Sequence, residues 1–289
     1  MRRALGLFAL IVSVALVVAT LARPERPVRG KHAPPLLPRA WLLKIAGRAF
    51  IPLISDYYWL QTIQATGKAW TADEYRDVAD YAQLVTDLDP DFAYVYQFGG
   101  VVVPYNTGRE HWVNTAQSSA LFEKGIARFP GWVFLRTLLA YNYSVFDHDY
   151  TRAARLLEET SKLPGAPEYL PYLATRLYAQ AGSFDAAGAF ASQLAASSAD
   201  PETRAAFEHR VLEIRLERIL QSVDRAVDAF RTQRGTAPRD IQELVSAGLL
   251  AGPPEDPLGG SIYLGADGRA YATSQDHRLE AYDPAKDEQ

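Results

Sequence analysis

The residues able to do chemistry in this chain are few. His148 stands between Asp147 and Asp149, a spacing that can set two carboxylates around an imidazole, and Glu110-His111-Trp112 puts an acid, a base and an aromatic in succession. The remaining three of the five histidines, His32, His209 and His277, are isolated in sequence. No Gly-Lys-Ser/Thr phosphate loop, Gly-x-Ser-x-Gly elbow, His-Glu-x-x-His pair or dinucleotide glycine fingerprint occurs, so the commonest motif-borne chemistries have no carrier. The absence of cysteine removes disulfides, thiolate metal sites and thiol nucleophiles together. A turn between helices calls for polar residues, which accounts for Asp147-His148-Asp149 without a metal, and a solvated loop accounts for residues 105–112. The expectation is a protein that is not an enzyme and holds no cofactor or metal; a cell-wall-acting enzyme with its site in the loop at 105–112 is the alternative. What remains to carry a function is the arrangement of the chain rather than a catalytic motif.

The elements of that arrangement recur. At a lag of 34 residues Ala187 meets Ala153, Phe184 meets Tyr150, Ala174 meets Ala140, and Pro164 meets Pro130. Each match has a physical reason. Where two helices cross closely only small side chains fit, which places the alanines. An aromatic after a short polar turn wedges between the helices, and proline stops the second helix because it cannot donate to the ladder and clashes with the preceding turn. A fixed period of this kind is the mark of stacked helix-turn-helix units.

These residues resemble the tetratricopeptide repeat (TPR), whose pattern runs from a small residue late in the first helix through a Gly-Asp/Asn-Tyr/Phe turn to an alanine in the second helix and a terminal proline. Residues 134–167 and 168–201 are the two clear copies. Upstream, Asp87-Leu88-Asp89-Pro90 and Phe129-Pro130 end two further units with prolines 40 residues apart, and the surplus falls in the loop-like Asn106-Thr107-Gly108-Arg109-Glu110. A degenerate first unit runs from Asp56 to Pro90, for about four units in all. The resemblance implies a solenoid whose first helices line a concave face, and counting from Phe134, Glu168 and Ala93 it puts Tyr94, Gln97, Asn142, Tyr169, Tyr172, Arg176 and Gln180 there as the partner-binding set. Such phenols, amides and a guanidinium hold an extended peptide by its backbone and pair with an acidic group on it. A solenoid binds rather than catalyses.

The ends of the chain point to where it works. Met1-Arg2-Arg3 precedes nineteen uncharged residues, 4–22, just long enough to cross a bilayer core as a helix. Two readings stand, a retained signal-anchor and a signal peptide cleaved after Thr20-Leu21-Ala22; the anchor is adopted. Residues 1–50 carry nine Lys/Arg and one acid, residues 51–235 seventeen and twenty-three, residues 236–289 four and ten. Arg23, Arg26, Arg29, Lys31 and Arg39 therefore suggest a juxtamembrane linker at anionic headgroups, kept extended by Pro24, Pro27, Pro34, Pro35 and Pro38. The excess of Lys/Arg after the apolar run pulls the following side toward the cytoplasm, while the order of charged start and apolar run is that of an export signal. The expectation adopted is an exported domain. Residues 41–54 form a second apolar stretch, interrupted by Lys44 and Arg48 and kinked by Pro52, that reads as an interfacial or capping helix.

Residues 202–234 alternate six acids and seven bases around an apolar stripe from Val211 to Phe230, which marks a long amphipathic helix and not a nucleic-acid footprint. Gly235 ends it. A turn, short helix and glycine cap within residues 235–250, a rigid turn at 253–260, a strand at 261–264 and a hairpin turn at Asp267-Gly268 before residues 269–274 follow. Pro238, Leu244, Asp256, Pro257 and Gly259 give this stretch a resemblance to the C-terminal region of type II secretion pseudopilins; Leu258 replaces the usual tryptophan, and no prepilin cleavage motif or calcium loop accompanies it. The expected fold is thus mainly α: a TPR-like α-α solenoid over 41–201, behind a transmembrane or signal helix at 1–22 and a basic linker at 23–40, with a long helix at 202–234 and a small helix plus β-hairpin appendage and acidic tail at 235–289. The expected function is a membrane-anchored protein-protein interaction scaffold of the bacterial cell envelope, in a secretion, pilus or cell-surface assembly. It is single-pass in the inner membrane with its soluble part periplasmic; the same scaffold facing the cytoplasm is the alternative. If residues 4–22 are retained, the protein stays with membranes after lysis and leaves them only in detergent. Recovery of a soluble chain beginning at Arg23 would show cleavage instead.

Overall fold

A computed structural model describes residues 32–109 and 111–279. The expected anchor at 1–22, residues 23–31 of the linker, Glu110 and the acidic tail from residue 280 lie outside the described residues. The chain divides into two compact units, residues 1–35 and 36–289; of the first, residues 32–35 are described and carry no regular secondary structure. Everything below concerns the second unit.

Among the described residues the protein is mainly helical. Four consecutive helix pairs are α2 (Ile51–Lys68) with α3 (Ala72–Leu88), α4 (Ala93–Val102) with α5 (Thr115–Arg128), α6 (Val133–Tyr141) with α7 (Tyr150–Ser161), and α8 (Tyr169–Gln180) with α9 (Phe184–Ser197). A short α1 (Ala40–Gly47) precedes them and a long α10 (Pro201–Arg234) follows. From α2 to α10 each helix packs chiefly on the ones before and after it, with added contacts of α3 to α5 and α8 to α10. Among the described residues no helix is long and apolar enough to cross a membrane.

The 34-residue correspondence has a structural counterpart. Tyr150 opens α7 and Phe184 opens α9, and three residues on Ala153 and Ala187 are both fully buried. Ala140 and Ala174 are buried in α6 and α8, and Pro130 and Pro164 lie just past the ends of α5 and α7. Close approach elsewhere uses glycine: a Cβ on Gly100 would run into the Phe122 ring, and one on Gly125 would run into Leu135 and Tyr96. Caps fix the helix starts. Thr71 and Glu74 form a reciprocal capping box at α3, and Asp149 and Asp200 accept from the backbone N–H of Arg152 and Thr203 at 2.9 and 2.7 Å.

Three features differ from the sequence expectation. The stretch 41–54 is not one kinked helix; α1 ends at Gly47, a single 3₁₀ turn (Arg48–Phe50) intervenes, and Pro52 sits in the first turn of α2, where its missing N–H costs nothing. The loop-like surplus is a small hairpin, β1 (Tyr105–Asn106) against β2 (Trp112–Val113), because the Asn106 side chain accepts from Gly108 N–H at 2.7 Å and Gly108 takes a φ of 111°. Helix α6 also does not stop cleanly: it continues into a π turn, Asn142–Phe146, whereas α8 ends at Gln180 without one.

The second half of α10 builds a core of its own. Leu216, Leu220, Val223, Val227 and Phe230 are buried against Leu244 of α11 (Ile241–Ser246) and against Ala270 and Ala272 of a hairpin, β3 (Ile262–Leu264) with β4 (Ala270–Ala272). Two acids one heptad apart on α10 hold this module. The Asp224 carboxylate accepts from Ala270 N–H at 2.7 Å and from Arg278 at 2.9 Å. Glu217, fully buried, takes the Arg278 guanidinium bidentately at 2.6 and 2.9 Å and accepts from Leu279 N–H at 3.2 Å. Replacing Arg278 by methionine strands the Glu217 charge and should cost about 3–5 kcal/mol, read from the urea midpoint. The double variant with Glu217→Leu, which removes both charges, should recover most of the loss. Equal losses in single and double variants would show that this pair does not fasten the C-terminal segment.

Candidate functional site

Exposed apolar side chains are distributed unevenly over the helix pairs. Every first helix carries them: Tyr57 and Leu60 on α2, Tyr94 and Val101 on α4, Phe134 and Tyr141 on α6, Tyr169 on α8. Among the described residues the second helices α3, α5, α7 and α9, and α10 after them, expose no large apolar side chain. A second helix buries one stripe and turns charged residues outward, as α7 does with Ala153, Ala154 and Leu157 inside and Arg152, Arg155 and Glu159 outside. The first helices bury one stripe and leave aromatics on the other face. Scattered exposed apolar residues need no explanation, but confinement to alternate helices is a pattern.

Of the seven sequence-named residues, Tyr94, Tyr169 and Arg176 are exposed, Gln97, Tyr172 and Gln180 are half-buried, and Asn142 is buried at 3% exposure. Asn142 is therefore not a groove residue. It opens the π turn and donates to Ser118 Oγ at 2.8 Å and Ser119 Oγ at 3.1 Å on α5, while Ser118 donates to Gly100 O at 2.5 Å. Its amide satisfies a buried polar seam, as buried polar groups require. Tyr94 belongs to an aromatic cluster with Trp59 and Phe98, at centroid distances of 5.8 and 5.9 Å. Tyr172 does structural work too: it stacks on Phe207 of α10 at 4.6 Å.

That stacking creates a site the sequence reading missed. Arg210, one turn along α10 from Phe207, lies with its guanidinium 5.4 Å from the Tyr172 centroid and pairs with Glu213 at 3.0 Å. Its Nε is buried without a hydrogen-bond partner. Burial holds the Arg210 pKa below the ordinary arginine value, Glu213 pulls it up, and the positive charge of Arg176 adds to the lowering. Arg176 forms no ion pair among the described residues. Two guanidiniums with one acid between them, beside an aromatic face, leave a local excess of positive charge that an incoming carboxylate would neutralise. No local signal announces Arg210, because the pairing depends on how α10 crosses α8.

The other sequence candidates have ordinary roles. Asp149 caps α7, His148 adopts φ 51° in the turn with its Nδ1 3.5 Å from the Tyr150 hydroxyl, and burial raises the Asp147 pKa. His111 closes the β1–β2 turn, its C=O accepting from Thr107 N–H at 2.9 Å, and Trp112 packs on Phe146 at 5.2 Å. Among the described residues no group of three or more His, Cys, Asp and Glu side chains converges as metal ligands would. No family model, no curated protein and no solved structure matches this chain.

Between the pairs, phenols are tied to acids. Tyr143 donates to Glu123 at 2.7 Å under the Arg152 guanidinium, and Tyr178 donates to Glu158 at 3.0 Å. Burial and then the Glu158 hydrogen bond push the Tyr178 pKa from 10.0 up to about 12. The folded state favours the neutral phenol, so this contribution is intact below pH 10 and is lost as pH rises through about 12. Urea denaturation across that window should show a steeper alkaline decline in the wild-type protein than in Tyr178→Phe, which at neutral pH should be less stable by roughly 0.5–1.5 kcal/mol. Parallel pH profiles would place the titration elsewhere.

Proposed function

We propose that this protein is a membrane-tethered adaptor of the cell envelope whose four helix pairs form a TPR-like solenoid, and that the exposed face of the first helices captures a partner protein or peptide. The observation that carries this reading is that, among the helices of the four pairs, the first helices carry exposed large apolar side chains and the second helices carry none. Stacked repeats present equivalent helices on one side, so a property shared by alternate helices is a property of a surface. Half-exposed aromatics give large contact area at low entropic cost. Arg176 and Arg210 at the α8 end add a carboxylate-selective anchor, which suits an acidic side chain or chain terminus of the bound segment. The tether rests on the uncharged residues 4–22 and the basic linker after them.

A photo-crosslinking side chain placed singly at Tyr94, Phe134 and Tyr169 in cells should give partner adducts, whereas the same probe at Ala120, Arg155 and Ala189 on second helices should not. Adducts of equal yield from both sets, or from neither, would remove the first-helix face as the binding surface. With the adduct identified, Arg176→Ala should weaken its binding about ten- to hundredfold, the loss of one charge-assisted hydrogen bond, at nearly unchanged melting temperature. A large melting drop with unaltered affinity would make Arg176 a scaffold residue. The excess of Lys/Arg following residue 22 also supports a cytoplasmic face for the scaffold; a periplasm-dependent reporter enzyme fused after Gln289 separates the two orientations.

A further inference from the structure

One apolar surface lies outside the repeat pattern. Helix α1 buries none of its residues, and Trp41, Ile45, Phe50 and Leu53 are each more than half exposed. Between α1 and α2 runs a groove of about 500 Å³ lined by Leu43, Leu53, Ile54, Asp56, Tyr57, Tyr58 and Leu60. Asp56 is the one acid in this region, and the bases outnumber it. From Arg26 to Ser55 the sequence contains no acid, and Arg39, Lys44 and Arg48 are all exposed and form no ion pair among the described residues.

We propose that α1, the following 3₁₀ turn and the first turns of α2 form a foot that seats on an anionic bilayer surface, with Trp41, Ile45, Phe50 and Leu53 at the acyl boundary and Arg39, Lys44 and Arg48 among the headgroups. Three observations select lipid over a protein occupant. Three exposed bases, Arg39, Lys44 and Arg48, against the single acid Asp56 complement a surface of negative charge, whereas a protein surface of mixed charge calls for both signs in balance. Tryptophan and phenylalanine beside lysine and arginine are the composition of an interfacial helix. The seventeen residues 23–39 reach at most roughly 60 Å even fully extended, so the foot is within range of any membrane that holds residues 4–22. The foot adds to the adaptor reading but does not rest on it, since its side chains lie in residues 39–60.

The chain has no cysteine, so a single introduced one reports one position. Ile45→Cys, Leu53→Cys and, as control, Glu208→Cys on α10 are each labelled with an environment-sensitive fluorophore in the full-length protein. Each is then mixed with vesicles of phosphatidylcholine, alone or with phosphatidylglycerol. The proposal expects labels at 45 and 53 to shift to an apolar environment on anionic vesicles and to be quenched by spin-labelled lipid, with no change at 208. The triple variant Arg39→Gln, Lys44→Gln, Arg48→Gln should raise the anionic lipid concentration required by on the order of a hundredfold, at unchanged helicity and melting temperature. Labels at 45 and 53 that stay water-like while the protein is vesicle-bound would overturn the proposal. So would a shift that grows with protein concentration in the absence of lipid, which would give this face to a second copy. A response unaffected by lipid charge and by the triple variant would overturn it as well.

Discussion

None of these helices can bury its apolar stripe alone, and the close crossings that let each use its neighbours are the constraint on which the rest depends. Gly100 against Phe122, Gly125 against Leu135 and Tyr96, and the buried Ala153 and Ala187 are the points where two backbones approach without side-chain bulk between them. Protein interiors are close-packed, so a methyl group at such a point forces a helix to move. Because contacts run between elements adjacent in sequence, stability is assembled from local interfaces, and each interface fixes which face of the next helix remains free.

The free face follows from that arrangement. A second helix is covered on the side that its partner and the next pair need, and what remains outward is charged, polar or alanine, with no large apolar side chain among the described residues. A first helix keeps aromatics outside that its own pair does not need, and Tyr57, Tyr94, Phe134, Tyr141 and Tyr169 are the result. Such side chains burden a monomer with exposed apolar area, and a binding role gives that area a use. The end of the series is treated differently: α10 covers α8 with Phe207 and Arg210, so the aromatic there is stacked and the exposed character passes to guanidinium.

Polar groups inside this structure act as fasteners. Asn142 with Ser118 joins the π turn to α5, the Tyr143–Glu123 and Tyr178–Glu158 hydrogen bonds join neighbouring pairs, and Glu217 with Arg278 fixes the last described residues to α10. Each is directional, so each selects one register among the several that apolar packing alone would permit. The price of that selection is a set of buried groups that cannot lose a partner cheaply.

Local chemistry in the sequence settled the helices and their punctuation. Pro130, Pro164 and Gly235 end helices, Tyr150 with Ala153 and Phe184 with Ala187 repeat because one crossing recurs, and Asp267-Gly268 turns a hairpin, all from the conformational limits of the residues themselves. The sequence could also nominate Tyr94, Tyr169 and Arg176, since a uniform helical period carries them to an outer face. The same period places Asn142, seven residues after Leu135 and three after Leu139, on their buried stripe, and it says nothing about which distant helix arrives on top. Only tertiary structure placed Phe207 on Tyr172 and Arg210 beside Arg176, joined Glu217 to Arg278 across 61 residues, and left α1 without cover. Those outcomes depend on crossing geometry between segments far apart in the chain, and no spacing within either segment encodes it.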